Sequence, residues 1–358
     1  MMQNTDNNLD VARLARFLAE RGFDLDLKQP PRLLTGGLAN LNYAIAVNGR
    51  PAVLRRAPAG ILPAGAHDMA REHFVLSRLC GKFPEAPESY LLCDDASVIG
   101  APFQIIEFRD GRQVRGEDLF CLSEEEDLPA ALPDLLGGLL AKLHAVDPRD
   151  CGLQDFGKPE GFAKRNAARW SDRAVDLTRG TRRAERAGDV ASMLRDRFAD
   201  WDGGSPVILH CDFKLDNLLL ARGSVRPVAL VDWDMATRGD ALFDLGTLLS
   251  YWSEPDDPPC MLRLKQMPTA LPGFPGRSRM AAAYAAASGR SVDDVEAFRA
   301  LCLLKLAVVF LQLHQRWRSG DLGDDRYAGF EALGLELLDY THSVAAQLDG
   351  NQQRQVPS

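Results

Sequence analysis

Two short apolar runs, Val207–His210 and Val228–Asp232, each lead into an acidic motif, and no other feature constrains the chain as much. The first motif reads Ile208-Leu-His-Cys-Asp-Phe-Lys-Leu-Asp-Asn217, the second Leu230-Val-Asp-Trp-Asp234. A carboxylate at a strand end, Asp212, can orient an attacking hydroxyl and accept its proton. Asn217 offers an amide oxygen, and Asp232 a carboxylate, to one magnesium cluster. Lys214 can neutralise charge on a transferring phosphoryl group. That reaction has a loose transition state, so positioning and charge neutralisation carry most of its catalysis.

The rest of the chain is read around this pair. At 358 residues it can bury one large or two medium cores. Residues 9–22 have the periodicity of an amphipathic helix. Tyr43–Val47 and Ala52–Arg55 are β-prone and meet across Asn48-Gly49, a pair that supplies the positive φ angles of a hairpin. A helix over Asp68–Cys80 and strands at Tyr90–Cys93 and Phe103–Phe108 complete a small sheet with one docked helix. After Gly111 the pattern turns helical: Leu132–His144, an arginine-rich 158–186, Met280–Ser288 and Val295–Arg318, with Ser291 as a candidate cap. The fold expected is α+β and bilobal, with a small antiparallel-sheet N-lobe over 1–109 and a mainly helical C-lobe over 110–349. A disordered tail is expected at 350–358.

Charge and cysteine usage narrow the function. A net charge of -8 argues against nucleic acid as the partner. Seven scattered cysteines with no Cys-x-x-Cys pair fit neither a disulfide framework nor a zinc site. They suggest reduced thiols and a cytoplasmic location. Leu301–Leu313 contains Lys305 and Gln312 and is too short to span a bilayer, so no membrane association is expected. That run suits either a core or an interface, which leaves a homodimer open. Glu124–Asp127 reads as a solvated loop.

His-x-Asp-x-x-x-x-Asn followed by a strand ending in Asp resembles the catalytic and metal loops of the aminoglycoside phosphotransferase and choline kinase superfamily, cousins of the protein kinases. The resemblance spans nearly the whole chain. Gly36-Gly-Leu-Ala-Asn-Leu-Asn-Tyr43 resembles the phosphate-covering loop, which implies nucleotide contacts from Gly36, Gly37 and Asn40. Val53-Leu-Arg-Arg56 resembles the strand bearing the phosphate-binding cation, here Arg55, with Glu72 as its partner. Glu107-Phe-Arg-Asp-Gly111 resembles the hinge that holds adenine, implicating Glu107 and Phe108. The implied activity is transfer of the γ-phosphoryl of ATP, with GTP as the alternative, to a small-molecule hydroxyl with Mg2+. Leu54–Pro63, Ser97–Pro102 and Arg165-x-x-x-Arg169-Trp170 are similar to the kinases associated with acyl-CoA dehydrogenases, whose proposed acceptors are hydroxylated acyl-CoAs.

Three positions depart from the family pattern. Arg55 stands for the common lysine, Ala39 for a small hydroxyl residue, and Cys211 for the glycine beside Asp212. The first two keep a nucleotide-binding pseudokinase in view as an alternative. An aminoglycoside kinase is another, but a polycationic acceptor calls for a carboxylate-lined pocket, whereas Arg165 and Arg169 favour an anion. A protein kinase is disfavoured by the lack of an Ala-Pro-Glu segment. His210 reads as a buried brace, and Asp216, Asp240 and Asp244 as loop and helix-start braces. Asp234 stays ambiguous.

Overall fold

The computed structural model describes residues 9–34, 40–57, 69–116, 119 and 127–353. Its first helix, α1 (Val11–Ala19), starts where the Asp10 carboxylate accepts the Arg13 amide at 2.9 Å. β1 (Arg32–Leu34), β2 (Leu41–Val47) and β3 (Arg50–Arg56) follow, then α2 (Met69–Leu79), β4 (Ser89–Cys93) and β5 (Phe103–Glu107). The strands form one antiparallel sheet in the order β1-β2-β3-β5-β4. Asn48 and Gly49 turn the β2–β3 hairpin with φ of 52° and 72°, as their residue types require.

The sheet alternates as a two-faced strand array must. Tyr43, Ile45, Ala52, Leu54, Phe103 and Ile105 pack on Leu14 and Leu18 of α1, forming a first core. On the opposite face Ala44, Val53 and Ile106 are cross-strand neighbours looking toward the second lobe. The sheet thus carries α1 as well as α2, not the single helix that the pattern suggested. Moreover, Val75, Leu76 and Leu79 of α2, with Phe83 and Ala86 after it, belong to the core of the second lobe.

That lobe comprises β6 (Arg112–Gln113), α3 (Leu128–His144), α4 (Phe162–Thr178), α5 (Ala184–Arg197), β7 (Val207–Leu209), β8 (Leu218–Leu220), β9 (Pro227–Leu230) and β10 (Thr237–Gly239). It continues with α6 (Ala241–Tyr251), α7 (Pro259–Leu264), α8 (Arg277–Ser288), α9 (Val295–Arg318) and α10 (Phe330–Gln353). The chain is therefore α+β and bilobal, with a small sheet-based N-lobe and a mainly helical C-lobe. β6, β8 and β9 form a three-stranded sheet, and β7 pairs with β10.

Several boundaries differ from the sequence pattern for local reasons. α3 starts a turn early because Asp127 caps it, accepting from Ala130 N–H at 3.1 Å, and proline is tolerated in a first turn. The arginine-rich segment is two helices, broken where Gly180 takes a φ of 78°. Ser291 bonds Asp293, and α9 begins after Asp294 without a side-chain cap. The last helix reaches Gln353, so it overlaps the start of the expected tail. The apolar run of α9 is covered within the chain by α4, α6 and α10, so it is core. No helix among the described residues is long and apolar enough to cross a membrane. The described cysteines are all free thiols; Cys121 lies outside the described residues.

Candidate active site

β7 and β9 lead into the two acidic motifs, and a hydrogen bond joins the motifs: Val231 N–H donates to the Asn217 carbonyl at 2.9 Å. Asp212 is the centre of the first loop. Its Oδ2 accepts from Asn217 Nδ2 at 3.0 Å and pairs with Lys214 Nζ at 3.0 Å, while Oδ1 accepts from the Tyr251 hydroxyl at 3.2 Å. Burial alone would raise its pKa, but Lys214, then Lys305, outweigh it and hold the carboxylate below its ordinary range. Lys214 is held charged in return: burial opposes this, but Asp212 and Tyr251 push its pKa upward.

The backbone around Asp212 is fixed from several sides. Asp244, fully buried on α6, accepts from the amides of His210 and Cys211 at 2.7 Å each. His210 Nε2 donates to the Val231 carbonyl at 3.0 Å, so Nδ1 is free to accept the Asp212 amide at 3.3 Å. Burial keeps this imidazole below its ordinary pKa and hence neutral. It joins the two acidic loops, as its buried position in the motif suggested. Asp240 caps α6 at Leu242 N–H, 2.9 Å, and so is the helix-start brace expected. Asp216 lies at the rim, its backbone carbonyl taking Gln113 Nε2 at 2.9 Å.

The N-lobe supplies the opposite wall. β3 is an interior strand, so Arg55 is buried rather than an edge charge. Its Nε lies 2.7 Å from Glu72 Oε2, an ion pair off-axis for a hydrogen bond, and its Nη2 bonds Asp232 Oδ1. Burial opposes its charge, but Glu72 and Asp232 outweigh burial and hold Arg55 firmly protonated. Glu72 also accepts from Gln104 Nε2 and from the Trp233 amide at 3.2 Å. One buried carboxylate thus ties α2, β5 and the second acidic loop together. Asp232 takes a φ of 74°, unusual for a residue with a side chain. Asp234 beside it is pushed up to about 8 by burial and by the Asp232 carboxylate.

The donor set suits a hard cation. Asn217 has its amide nitrogen committed to the Asp212 carbonyl at 2.8 Å and to its carboxylate, which leaves Oδ1 as the acceptor toward a metal. With Asp232 this makes two oxygen donors. Among the described residues no group of three or more His, Cys, Asp or Glu side chains is placed to hold a metal ion by itself. Magnesium is characteristically held by one or two protein oxygens, with phosphates and water filling the remainder.

Other expected positions fare differently. Gly36, Gly37 and Ala39 lie outside the described residues. Asn40 is buried, and among the described residues neither its Oδ1 nor its Nδ2 has a partner. Glu107 donates its amide to the Glu88 carbonyl at 2.8 Å, and its carboxylate pairs with Arg109 at 2.7 Å. Phe108 follows, partly buried, at the lobe junction. Arg165 closes on the carbonyls of Lys158 and Glu160, whereas Arg169 lies 5.0 Å from the Trp170 ring, with Arg173 at the same distance. Tyr251, Gln104 and Lys305 were not anticipated at the site. For Lys305 the available signal was a lysine inside an apolar run.

Comparison with known proteins agrees with this geometry. A family model described as the phosphotransferase enzyme family matches residues 31–283. Acyl-CoA dehydrogenase family member 11 from Gallus gallus is 31 % identical over 232 residues, covering 62 % of this chain and 28 % of the relative. The Mus musculus protein of the same name is 28 % identical over 295 residues, covering 80 % and 36 %. The chain thus spans less than half the length of these relatives. A protein of Ralstonia eutropha provisionally assigned as an aminoglycoside phosphotransferase superposes with a TM-score of 0.75 at 22 % identity, covering 95 % of this chain and 99 % of that one. Ethanolamine kinase of Plasmodium vivax gives 0.60 at 13 %, covering 88 % and 82 %. An aminoglycoside phosphotransferase in complex with AMP-PNP and hygromycin B gives 0.58 at 17 %, covering 93 % and 99 %. These structures establish the kinase-like fold, and the family match over most of the sequence establishes that the chain belongs to the phosphotransferase enzyme family.

Proposed function

We propose that the chain is a magnesium-dependent small-molecule kinase that transfers the γ-phosphoryl of ATP to a hydroxyl of an anionic acceptor, a hydroxyacyl-CoA or a related hydroxy acid. The observation that carries this reading is the convergence of Asp212, Lys214 and Asn217 from one loop with Asp232 from the other, opposite Arg55 and Glu72. Residues 1–109 cover the nucleotide and 110–349 hold the acceptor. Ala44, Val53 and Ile106 roof the adenine from the sheet. The Glu107 amide is already committed to Glu88, so the hinge contact falls to Phe108 and the backbone after it. The amide of Asn40, without a partner among the described residues, and the guanidinium of Arg55 face the phosphates. Asn217 and Asp232 would hold magnesium, which when bound neutralises charge on the phosphates.

Asp212 then receives the acceptor hydroxyl and its proton. Its depressed pKa makes it a positioning group more than a strong base, consistent with a loose transition state in which the proton moves late. Lys214 neutralises charge on the group in flight. The anionic acceptor is argued from Arg169, which pairs with no carboxylate among the described residues and shares the Trp170 ring with Arg173. Two neighbouring guanidinium groups, neither paired with a carboxylate among the described residues, suit phosphates or a carboxylate and repel a polycation. The names of the curated relatives point to the acyl-CoA class.

The test is MgATP turnover by purified protein across hydroxyacyl-CoAs, free hydroxy acids, choline-like alcohols and aminoglycosides, with Asp212→Asn as control. Turnover with an anionic acceptor is expected, falling about 10²- to 10⁴-fold in the control while AMP-PNP affinity persists. Nucleotide binding without turnover on any acceptor would leave a pseudokinase, and turnover confined to aminoglycosides would reverse the acceptor assignment.

A further inference from the structure

Lys305 interrupts an apolar seam. α9 faces α6 with Phe298, Cys302, Lys305 and Val309, positions three or four apart as one helical stripe requires. The Phe298 backbone backs onto Gly246, and Cys302 Sγ meets Thr247 Oγ1 at 3.4 Å. Lys305 and Val309 line a small recess with Thr247, Ser250 and Tyr251. At 6 % exposure, an ammonium on this stripe is costly unless something holds it. No carboxylate pairs with it among the described residues. Its contacts are the Cys211 carbonyl at 2.5 Å and the Phe243 ring at 5.5 Å.

The Cys211 carbonyl belongs to the peptide that leads into Asp212. The amide of that peptide donates to His210, and Cys211 sits in the left-handed region at a φ of 65°. The peptide is therefore gripped on both edges, and its plane fixes the direction in which the Asp212 side chain leaves the backbone. We propose that Lys305 is a positioning residue for phosphoryl transfer, holding the Cys211–Asp212 peptide from α9 so that the Asp212 carboxylate meets the acceptor hydroxyl. This rests on the role given to Asp212 above. A charged donor suits the task because a charge-assisted bond to a carbonyl is shorter and stronger than a neutral one.

The test compares Lys305→Met, Lys305→Gln and Lys305→Arg in the full chain. The measurements are melting temperature, AMP-PNP affinity with magnesium, and kcat and KM for radiolabelled ATP. The acceptor is the one found by the panel, or water where none is found. Lys305→Met is expected to lower kcat about 10- to 100-fold, the usual effect of losing a residue that orients a reacting group. KM for ATP and AMP-PNP affinity should stay within about twofold, and Lys305→Arg should recover most of the loss. Unchanged kcat in Lys305→Met overturns the proposal. So does a joint fall of kcat, AMP-PNP affinity and melting temperature that Lys305→Arg does not repair, which is the signature of lost packing. Should Lys305→Met fail to fold, the other two decide: lower kcat in Lys305→Gln than in Lys305→Arg at matched melting temperature supports the proposal, and equal kcat refutes it. Full turnover by Asp212→Asn is a separate outcome that removes the reading beneath it, as does a wild-type chain that turns over no ATP.

Discussion

Cys211, at the position where the family resemblance implied glycine, adopts a φ of 65°, so the departure that looked like local packing in the sequence is also a backbone matter. A left-handed residue with a Cβ costs roughly 1–2 kcal/mol. Replacing it with glycine relieves that strain but adds about 0.5–1 kcal/mol of chain entropy and loses about 1 kcal/mol of side-chain burial. The terms nearly cancel. Cys211→Gly should therefore shift unfolding in urea by less than about 1 kcal/mol, whereas Cys211→Val, β-branched in the same conformation, should cost more than about 2 kcal/mol. Equal destabilisation by the two would show that φ is not what limits this position. Asp212, Asn217 and Asp232 were legible because each motif lies on one loop, within a few residues of a strand. Their supports were not. Tyr251 reaches Asp212 from 39 residues away, Lys305 reaches Cys211 from 94, and Glu72 reaches the Trp233 amide from 161, and no local spacing encodes such meetings.

At the scale of elements, the contact between α6 and α9 decides how firmly the catalytic loop is held. Gly246 makes it close: a Cβ there would lie 2.7 Å from the Phe298 carbonyl carbon and 2.9 Å from its Cβ and oxygen. Gly246→Ala gains about 1 kcal/mol of helix propensity. It also forces the helices apart, at a cost of typically about 1–3 kcal/mol. We expect net destabilisation in thermal melting, and a fall in turnover beyond it because Lys305 rides on the same stripe of α9. A melting temperature at or above wild type would refute the close approach. Elements with strong local signals were readable from sequence: the Asn48-Gly49 hairpin from its turn chemistry, and Val295–Arg318 as one helix from its length and composition. The break between α4 and α5 was not, because both helices are rich in arginine and the glycine that separates them has no distinctive neighbours.

Across the whole molecule, covalent order and packing divide the chain differently. The sequence places α2 in the N-lobe, where it packs on β4 and β5, yet Val75, Leu76 and Leu79 share one hydrophobic cluster with the C-lobe helices, and Phe83 just after α2 meets the Trp233 ring. Leu230 N–H donates to the Glu85 carbonyl at 2.7 Å, and Lys142 of α3 pairs with Glu85 at 2.7 Å. The first core, by contrast, is built from α1, the outer face of the sheet and the neighbouring Leu9, Leu25, Val98 and Ile99. Amide hydrogen exchange should follow cores rather than chain order, with α2 protected together with α3 and α9 while α1 and β2 open as a separate unit. Exchange of α2 at the rate of α1 would contradict this. The same arrangement bears on dissection. A fragment beginning at residue 110 would lose Val75, Leu76, Leu79, Phe83 and Ala86 from the hydrophobic cluster it shares with them, and the Trp233 ring would lose its Phe83 neighbour. The lower lobe should therefore not survive as an autonomous piece, and a cut that leaves two self-sufficient parts would have to carry α2 down with it.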